Sequence, residues 1–307
     1  MSQEEKNKYY NELSSKYLNR LNSVDVPTEM SDLLIQDLLV LKSRAMWALE
    51  KEIFVFDENS KRTFNERISE MKSLAISKVK TLEKLFVLYD NVTKLPFIDD
   101  YDRINIFSTK EYADEALDYY LQQYRNWRVE EISKDGINAF LQTVFFLYGA
   151  QAVVVDNGQQ YDTFFASEMV EQPSSATFSN PEYMLALIKF QQEYHWRMNY
   201  ERKMEKLRSF ETAMINGFCK STFLLPVKDG EIQMLEKESA LRFYSVFTDK
   251  VEMEKVYKRS DGYETFEISA RKLADAPVDC VINVGSIAFQ MRREMVKQMF
   301  AIYEKGK

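Results

Sequence analysis

The chain has one histidine, His195, eight glycines and two cysteines in 307 residues, and each scarcity removes a class of chemistry. Ser-His-Asp and Cys-His sites need a histidine oriented by a third group. His195 stands among Gln192, Glu193 and Arg197, on what reads as a helix surface. A metal site built from several histidines is excluded outright. Phosphate-cradling loops need glycines a few residues apart so that backbone can approach the ligand, and no two glycines here are closer than Gly149 and Gly158. Neither a P-loop nor a dinucleotide fingerprint is present, and Gly-x-Ser-x-Gly is missing too. Cys219 and Cys280 belong to no Cys-x-x-Cys pair, so they read as small semi-buried thiols rather than a zinc or redox site. No window approaches the ~18 uninterrupted apolar residues of a membrane span. The start, Met1 to Lys6, lacks the basic and apolar runs of a signal peptide. These features predict a cytoplasmic protein with no membrane span, no cofactor and no metal.

What is present is a globular composition, 45% hydrophobic and 29% charged, at a length that allows two or three cores. The net charge of −7 is unevenly spread: residues 91–178 carry 14 acidic and 6 basic side chains. An acidic surface repels phosphate backbones, which argues against nucleic acid as a partner.

Tyr10, Leu13, Tyr17 and Leu21 step by three and four, the spacing of an amphipathic helix over residues 2–22 that Val26-Pro27 would end. A second helix is expected over about 28–55. A third runs from a Ser60 cap to about Tyr89, with Phe64, Ile68, Met71, Ala75, Val79, Leu82, Phe86 and Tyr89 on one face. The short turn between them implies a helical hairpin. Asn180-Pro181 is a helix start, and nothing before Gly217 reads as a stop. The expected product is one long helix whose apolar stripe (Leu187, Tyr194, Met198, Met204, Leu207, Phe210, Met214) packs along that hairpin.

Between and after these helices a pattern occurs twice. An apolar strand ends Ile106-Phe107-Ser108 and again Val246-Phe247-Thr248. A second strand ends Ile132-Ser133 and again Ile268-Ser269. A third, Val153 to Val155 and again Val281 to Val284, runs into Gly158 and Gly285. Helices alternate with these strands, which predicts an α/β (mixed α+β) fold. It comprises two similar α/β sandwich units joined by the long helix and supported by the N-terminal hairpin. The expected divisions are 1–90, 91–178, 179–217 and 218–307. Phe107 should superimpose on Phe247, Ile132 on Ile268 and Gly158 on Gly285. A closing helix is expected from Ile287 to about Tyr303.

Phe223-Leu-Leu-Pro-Val227, the strand from Phe243 to Asp249, and Cys280 to Gly285 resemble the N-terminal domain of the SseB family, a bacterial domain. That family commonly has Asn-Pro-Gly where this chain has Asn283-Val284-Gly285. The first unit resembles a more divergent copy, with Phe107 to Thr109 and Asp156-Asn157-Gly158 at the matching places. The resemblance implies no established catalytic residues, and the hairpin and long helix lie outside it.

Asp99, Asp100 and Asp102 read as solvated turn acids rather than a calcium site, Phe107 and Phe247 as core anchors, and Arg292-Arg293 as a wet helix face. With no catalytic, cofactor or metal residues to nominate, the expectation is a non-enzymatic bacterial interaction or scaffold protein with a protein partner. Asp114, Glu115 and Asp118 are its candidate partner-binding residues, and the two units could engage two sites of that partner. The alternatives are a carboxylate-dependent hydrolase and a structural homo-oligomer assembled through the helices.

Overall fold

The computed structural model describes residues 2–21, 29–51, 53, 57–171, 180–195, 203–236 and 242–306. Ser2 and Glu5 form a capping box that starts α1 (Gln3–Tyr17), each satisfying a backbone N–H at the helix start. Two helices follow, α2 (Ile35–Glu50) and α3 (Glu58–Lys80), packed together. Asp57 caps α3 by accepting from the Ser60 N–H. Helix α3 buries Phe64, Met71, Ala75 and Val79, the stripe its spacing predicts, but it stops at Lys80. The expected continuation to Tyr89 is instead strand β1 (Lys84–Asp90). Residues 85–88 form an unbroken apolar run buried on both sheet faces, and that burial selects strand over helix. Val26 and Pro27 lie outside the described residues.

The first unit continues with β2 (Arg103–Phe107), α4 (Lys110–Gln122), β3 (Trp127–Ser133), α5 (Lys134–Gln142), β4 (Ala152–Val155), β5 (Asp162–Phe165) and the short α6 (Ala166–Met169). A π-helical turn, Thr143–Leu147, follows α5, and Gly149 ends it at φ +75°. The sheet order is β3-β1-β2-β4-β5. Only β2 and β4 run parallel; the other neighbours are antiparallel.

The expected long helix is two helices, α7 (Pro181–Tyr194) and α8 (Met204–Lys220). In one straight helix Tyr183 and Gly217 would stand about 51 Å apart. Here a Cβ on Gly217 would lie 3.0 Å from the Tyr183 Cα, so the helices form an antiparallel hairpin of their own. Leu187 and Met214 are buried, Tyr194 and Met204 are exposed, and Met198 lies outside the described residues. Thus the stripe is covered chiefly within the α7–α8 hairpin and its own sheet, not along α2 and α3. Asn180 does open α7, but in the left-handed region and without a side-chain cap. Its amide donates to the Thr222 and Thr248 carbonyls instead, each at 2.8 Å.

The second unit comprises β6 (Thr222–Lys228), β7 (Glu231–Ile232), β8 (Met234–Glu236), β9 (Arg242–Val246), α9 (Lys250–Glu254), β10 (Glu264–Ser269), α10 (Ala270–Ala274), β11 (Asp279–Ile282), β12 (Phe289–Met291) and α11 (Arg293–Lys305). The closing helix therefore starts six residues later than expected, because residues 289–291 pair with β11 as an edge strand.

The repeat holds register by register. Leu85 pairs with Ile132 and Phe223 with Ile268. Phe86 pairs with Phe107, and Leu224 bridges to Phe247. Parallel pairs join β2 to β4 and β9 to β11. Gly158 and Gly285 each follow the third strand by three residues. The matching unit is larger than the sequence pattern suggested: the strands of each unit are preceded by their own helical hairpin, and each parallel pair is closed by an edge strand. In the second unit the strands form two sheets, β10-β6-β7 and β12-β11-β9-β8, where the first unit has one: β6 and the end of β9 are joined by the Leu224–Phe247 bridge, while β7 pairs with the far end of β6 and β8 with β9.

Alternation sorts each sheet into two faces. Leu85, Val87, Ile104, Ile106, Val153 and Val155 join one continuous core that also holds Phe223, Leu225, Val246 and Ile282 of the second unit. The opposite faces carry small separate clusters under α4 and α9. Among the described residues no helix is long and apolar enough to cross a membrane.

Candidate functional site

Where two adjacent parallel strands end and their chains part, a sheet leaves a crevice at their carboxyl ends. Each unit has one such pair. In the first, the chain leaves β2 through Ser108-Thr109 into α4 and leaves β4 through Asp156-Asn157-Gly158. Asp156 is fully buried at φ +56°. Its carboxylate accepts from the Ser108 N–H at 2.7 Å, the Ser108 hydroxyl at 2.8 Å and the Gln36 amide at 3.2 Å. Burial pushes its pKa up against the pull of those three donors. In the second unit Asn283 takes the same place at φ +49°. It accepts from the Thr248 N–H at 3.0 Å and donates to the Thr248 hydroxyl at 2.9 Å. Both backbones donate to the preceding strand, Asp156 to Ile106 and Asn283 to Val246. A carboxylate in one copy and an amide in the other clamp the same turn, so the shared role is structural.

The copies differ beside the glycine. A Cβ on Gly285 would come within 2.9 Å of Val256 and 3.2 Å of Lys255, so this turn is pressed against the end of α9. Around it Asp249 caps α9 from a buried position, where desolvation raises its pKa to about 6. The buried Glu252 takes the Ser286 hydroxyl and the Lys255 ammonium, each at 2.5 Å. The second crevice is closed.

A Cβ on Gly158 would meet nothing within 4 Å. Here a groove of about 530 Å³ lies between α4 and the turn, lined by Tyr112, Glu115, Ala116, Tyr119, Tyr120, Asn157, Gly158 and Gln159. The groove follows from how α4 seats. Thr109 caps it, Ala113 is buried against the sheet, and Tyr112, Leu117 and Tyr120 are partly buried over Phe107 and Trp127. Tyr119, one position before Tyr120, is turned outward and 60% exposed. A second cavity of about 340 Å³ opens near Tyr112, against Leu34, Gln36, Ser108 and Thr109.

Asp114, Glu115 and Asp118 all lie on α4. Only Glu115 lines the groove, where it accepts from the Gln159 amide at 2.7 Å. Asp114 pairs with Lys110 at 2.6 Å, and Asp118 is exposed. The tyrosines and the 157–159 turn complete the site, and sequence reasoning missed them. The signal that could have found them is a pair of adjacent tyrosines on an acidic helix, in the same repeat as an Asn-Gly turn.

No family model, curated protein or solved structure matches this chain. The site therefore stands on its own geometry. The three turn acids, expected to be solvated, are partnered: Asp99 with Arg103 at 2.8 Å, Asp100 with Lys206 at 2.6 Å and Asp102 with Lys189. Beside them Gln192 accepts from the Ile98 N–H and donates to the Pro96 carbonyl. This segment is the seam between α7–α8 and the first unit. His195 follows the end of α7, with Nε2 2.9 Å from the Gln191 side-chain oxygen. Among the described residues neither cysteine is in a disulfide, and Cys280 is buried with its thiol pushed up to about 12 by desolvation. Among the described residues no acidic, histidine or cysteine cluster could hold a metal.

Proposed function

We propose that this is a non-enzymatic interaction protein, SseB-like in both units, that acts in the cytoplasm and docks a protein partner on the α4 face of its first unit. The observation that carries the reading is the open groove at Gly158, where the same turn of the second copy is shut against α9. Docking is assigned to the first unit alone, so the bivalent arrangement is set aside. Tyrosine-rich surfaces give large contact area at low entropy cost, and α4 presents Tyr119 beside Glu115 and Asp118. The clamp role of Asp156, filled by an amide in the other copy, argues against a carboxylate-dependent hydrolase. The hairpins bury most of their apolar stripes within the chain, with Trp47, Tyr194 and Met204 left exposed, which weakens the motive for assembly through the helices.

The test is capture of a partner from a native lysate by the wild-type chain and by the triple variant Asp114→Lys, Glu115→Lys, Asp118→Lys. The partner should be lost with the variant while its circular dichroism stays unchanged. Wild-type capture should weaken steeply between low salt and about 0.5 M salt, because exposed charges are screened over ~8–10 Å at ordinary ionic strength. Equal capture by both chains would remove the α4 face from the interaction.

A further inference from the structure

Building on that docking reading, we propose that the groove between α4 and the 157–159 turn is a socket for an arginine side chain. The partner segment it takes is then an arginine-bearing basic stretch lying along α4. The walls are tyrosines: Tyr119 stands outward, edge-on to Tyr120 with ring centres 5.2 Å apart, and Tyr112 lines the same groove. Glu115 supplies a carboxylate inside the groove, oriented by the Gln159 amide at 2.7 Å. Asp118, one turn along from Glu115 and Asp114, is exposed at the rim. The one cation on α4, Lys110, is already paired with Asp114, and Lys6 of α1 stands 6.0 Å from the Tyr112 ring centre, which leaves Tyr119 as the face open to a guanidinium.

The potential at the groove favours a cation. Burial, and after it the carboxylates of Asp156, Glu115, Asp37 and Glu111, raise the Tyr112 phenol above its ordinary value. The same aromatic layer already accepts a guanidinium elsewhere: Arg125 lies 5.1 Å from the ring centres of both Phe97 and Trp127, and Trp127 is 4.5 Å from Tyr120. A planar guanidinium can stack on a tyrosine face while its fork meets a carboxylate, whereas an ammonium offers only a point charge. In the second unit the Gly285 turn is filled, and the cavity of about 470 Å³ beside α9 carries Lys250 and Arg259 in its lining and Lys228 already 5.0 Å from its Tyr263 ring centre, so one arginine socket per chain is expected.

The experiment titrates the full-length chain with a hexa-arginine peptide, a hexa-lysine peptide and a hexa-glutamate peptide by calorimetry. Hexa-arginine should bind saturably at one site per chain, at least fivefold more tightly than hexa-lysine, with hexa-glutamate silent. Tyr119→Ala and Glu115→Gln should each weaken hexa-arginine at least fivefold, and Tyr119→Phe should restore it. Both positions are exposed, so the fold should survive, as circular dichroism can check. Equal affinity for the two basic peptides, with Tyr119→Ala silent, would overturn the socket and leave the electrostatic docking reading standing. No hexa-arginine binding would also overturn it. A partner whose capture ignores the triple lysine variant, beside intact hexa-arginine binding, would sink the docking reading but not the socket.

Discussion

Asp249 shows how one side chain links burial to pH. Its carboxyl is held at about 6 against an ordinary 3.8, chiefly by desolvation. Since the folded pKa is the higher one, the native state binds the proton more tightly than the unfolded chain does. Stability from this group is therefore greatest at the acid end and is lost as pH rises from about 4 through 6. A difference of that size between folded and unfolded chains is worth about 3 kcal/mol. Asp249→Asn cannot ionise but can still accept from the Glu252 N–H, which Asp249 takes at 3.0 Å. Urea midpoints at pH ~4.5 and ~7.5 should show the variant gaining about 2–3 kcal/mol on the wild type across that interval. A difference independent of pH would show that Asp249 is not the strained group. Local roles of this kind are partly legible in the sequence: Thr109 as a cap, the cap of α9 narrowed to Thr248 or Asp249, and Phe107 and Phe247 as fully buried anchors, whereas the cap expected at Ser60 is supplied by Asp57. The pairing of Asp156 with Gln36 is not, because it joins side chains 120 positions apart.

Elements are legible where spacing and punctuation agree. Thr109 starts α4, Asp229-Gly230 turns β6 into β7 at positive φ, and Gly149 ends the helical stretch before β4. They mislead where the pattern fits two structures. Leu82, Phe86 and Tyr89 continue a helical spacing by coincidence, while β1 pairs antiparallel with both β2 and β3. Edge strands of three or four residues, β5 and β12, carry too little periodicity to be seen. The long helix lacked any stop residue, and only the tertiary contact of Gly217 with Tyr183 shows that α8 returns along α7; Gly149 lies beneath the start of α7. A Cβ at Gly149 would stand 2.5 Å from the Pro181 carbonyl oxygen, at φ +75°. Gly149→Ala should lose about 2–5 kcal/mol in chemical denaturation, combining left-handed strain with overpacking. Gly158→Ala, at φ +101° in open space, should lose only about 1–2 kcal/mol. Equal losses would mean that the Pro181 contact yields freely.

At the scale of the molecule, the two units share one core. Residues from Leu13 to Phe300 belong to a single buried cluster that draws on the sheets of both units, and Gln192, Lys189 and Lys206 tie the α7–α8 hairpin to the 96–102 segment. Units joined this way should unfold together. Urea curves from far-ultraviolet circular dichroism and from tryptophan fluorescence should coincide in one transition. Two separated transitions would show that the shared core does not couple them.

The sequence by itself determined the mixed α/β class, the order of the repeated strands and the caps and turns between them, because these depend on residues within a few positions of one another. It also excluded the chemistries that need histidines or closely spaced glycines. Only the tertiary structure decided that each copy begins with its own helical hairpin, that the three turn acids are paired, and that one crevice is open and the other shut. Those outcomes depend on which distant side chain arrives beside a given turn. Val256 comes up against Gly285, and among the described residues nothing comes within 4 Å of a Cβ at Gly158.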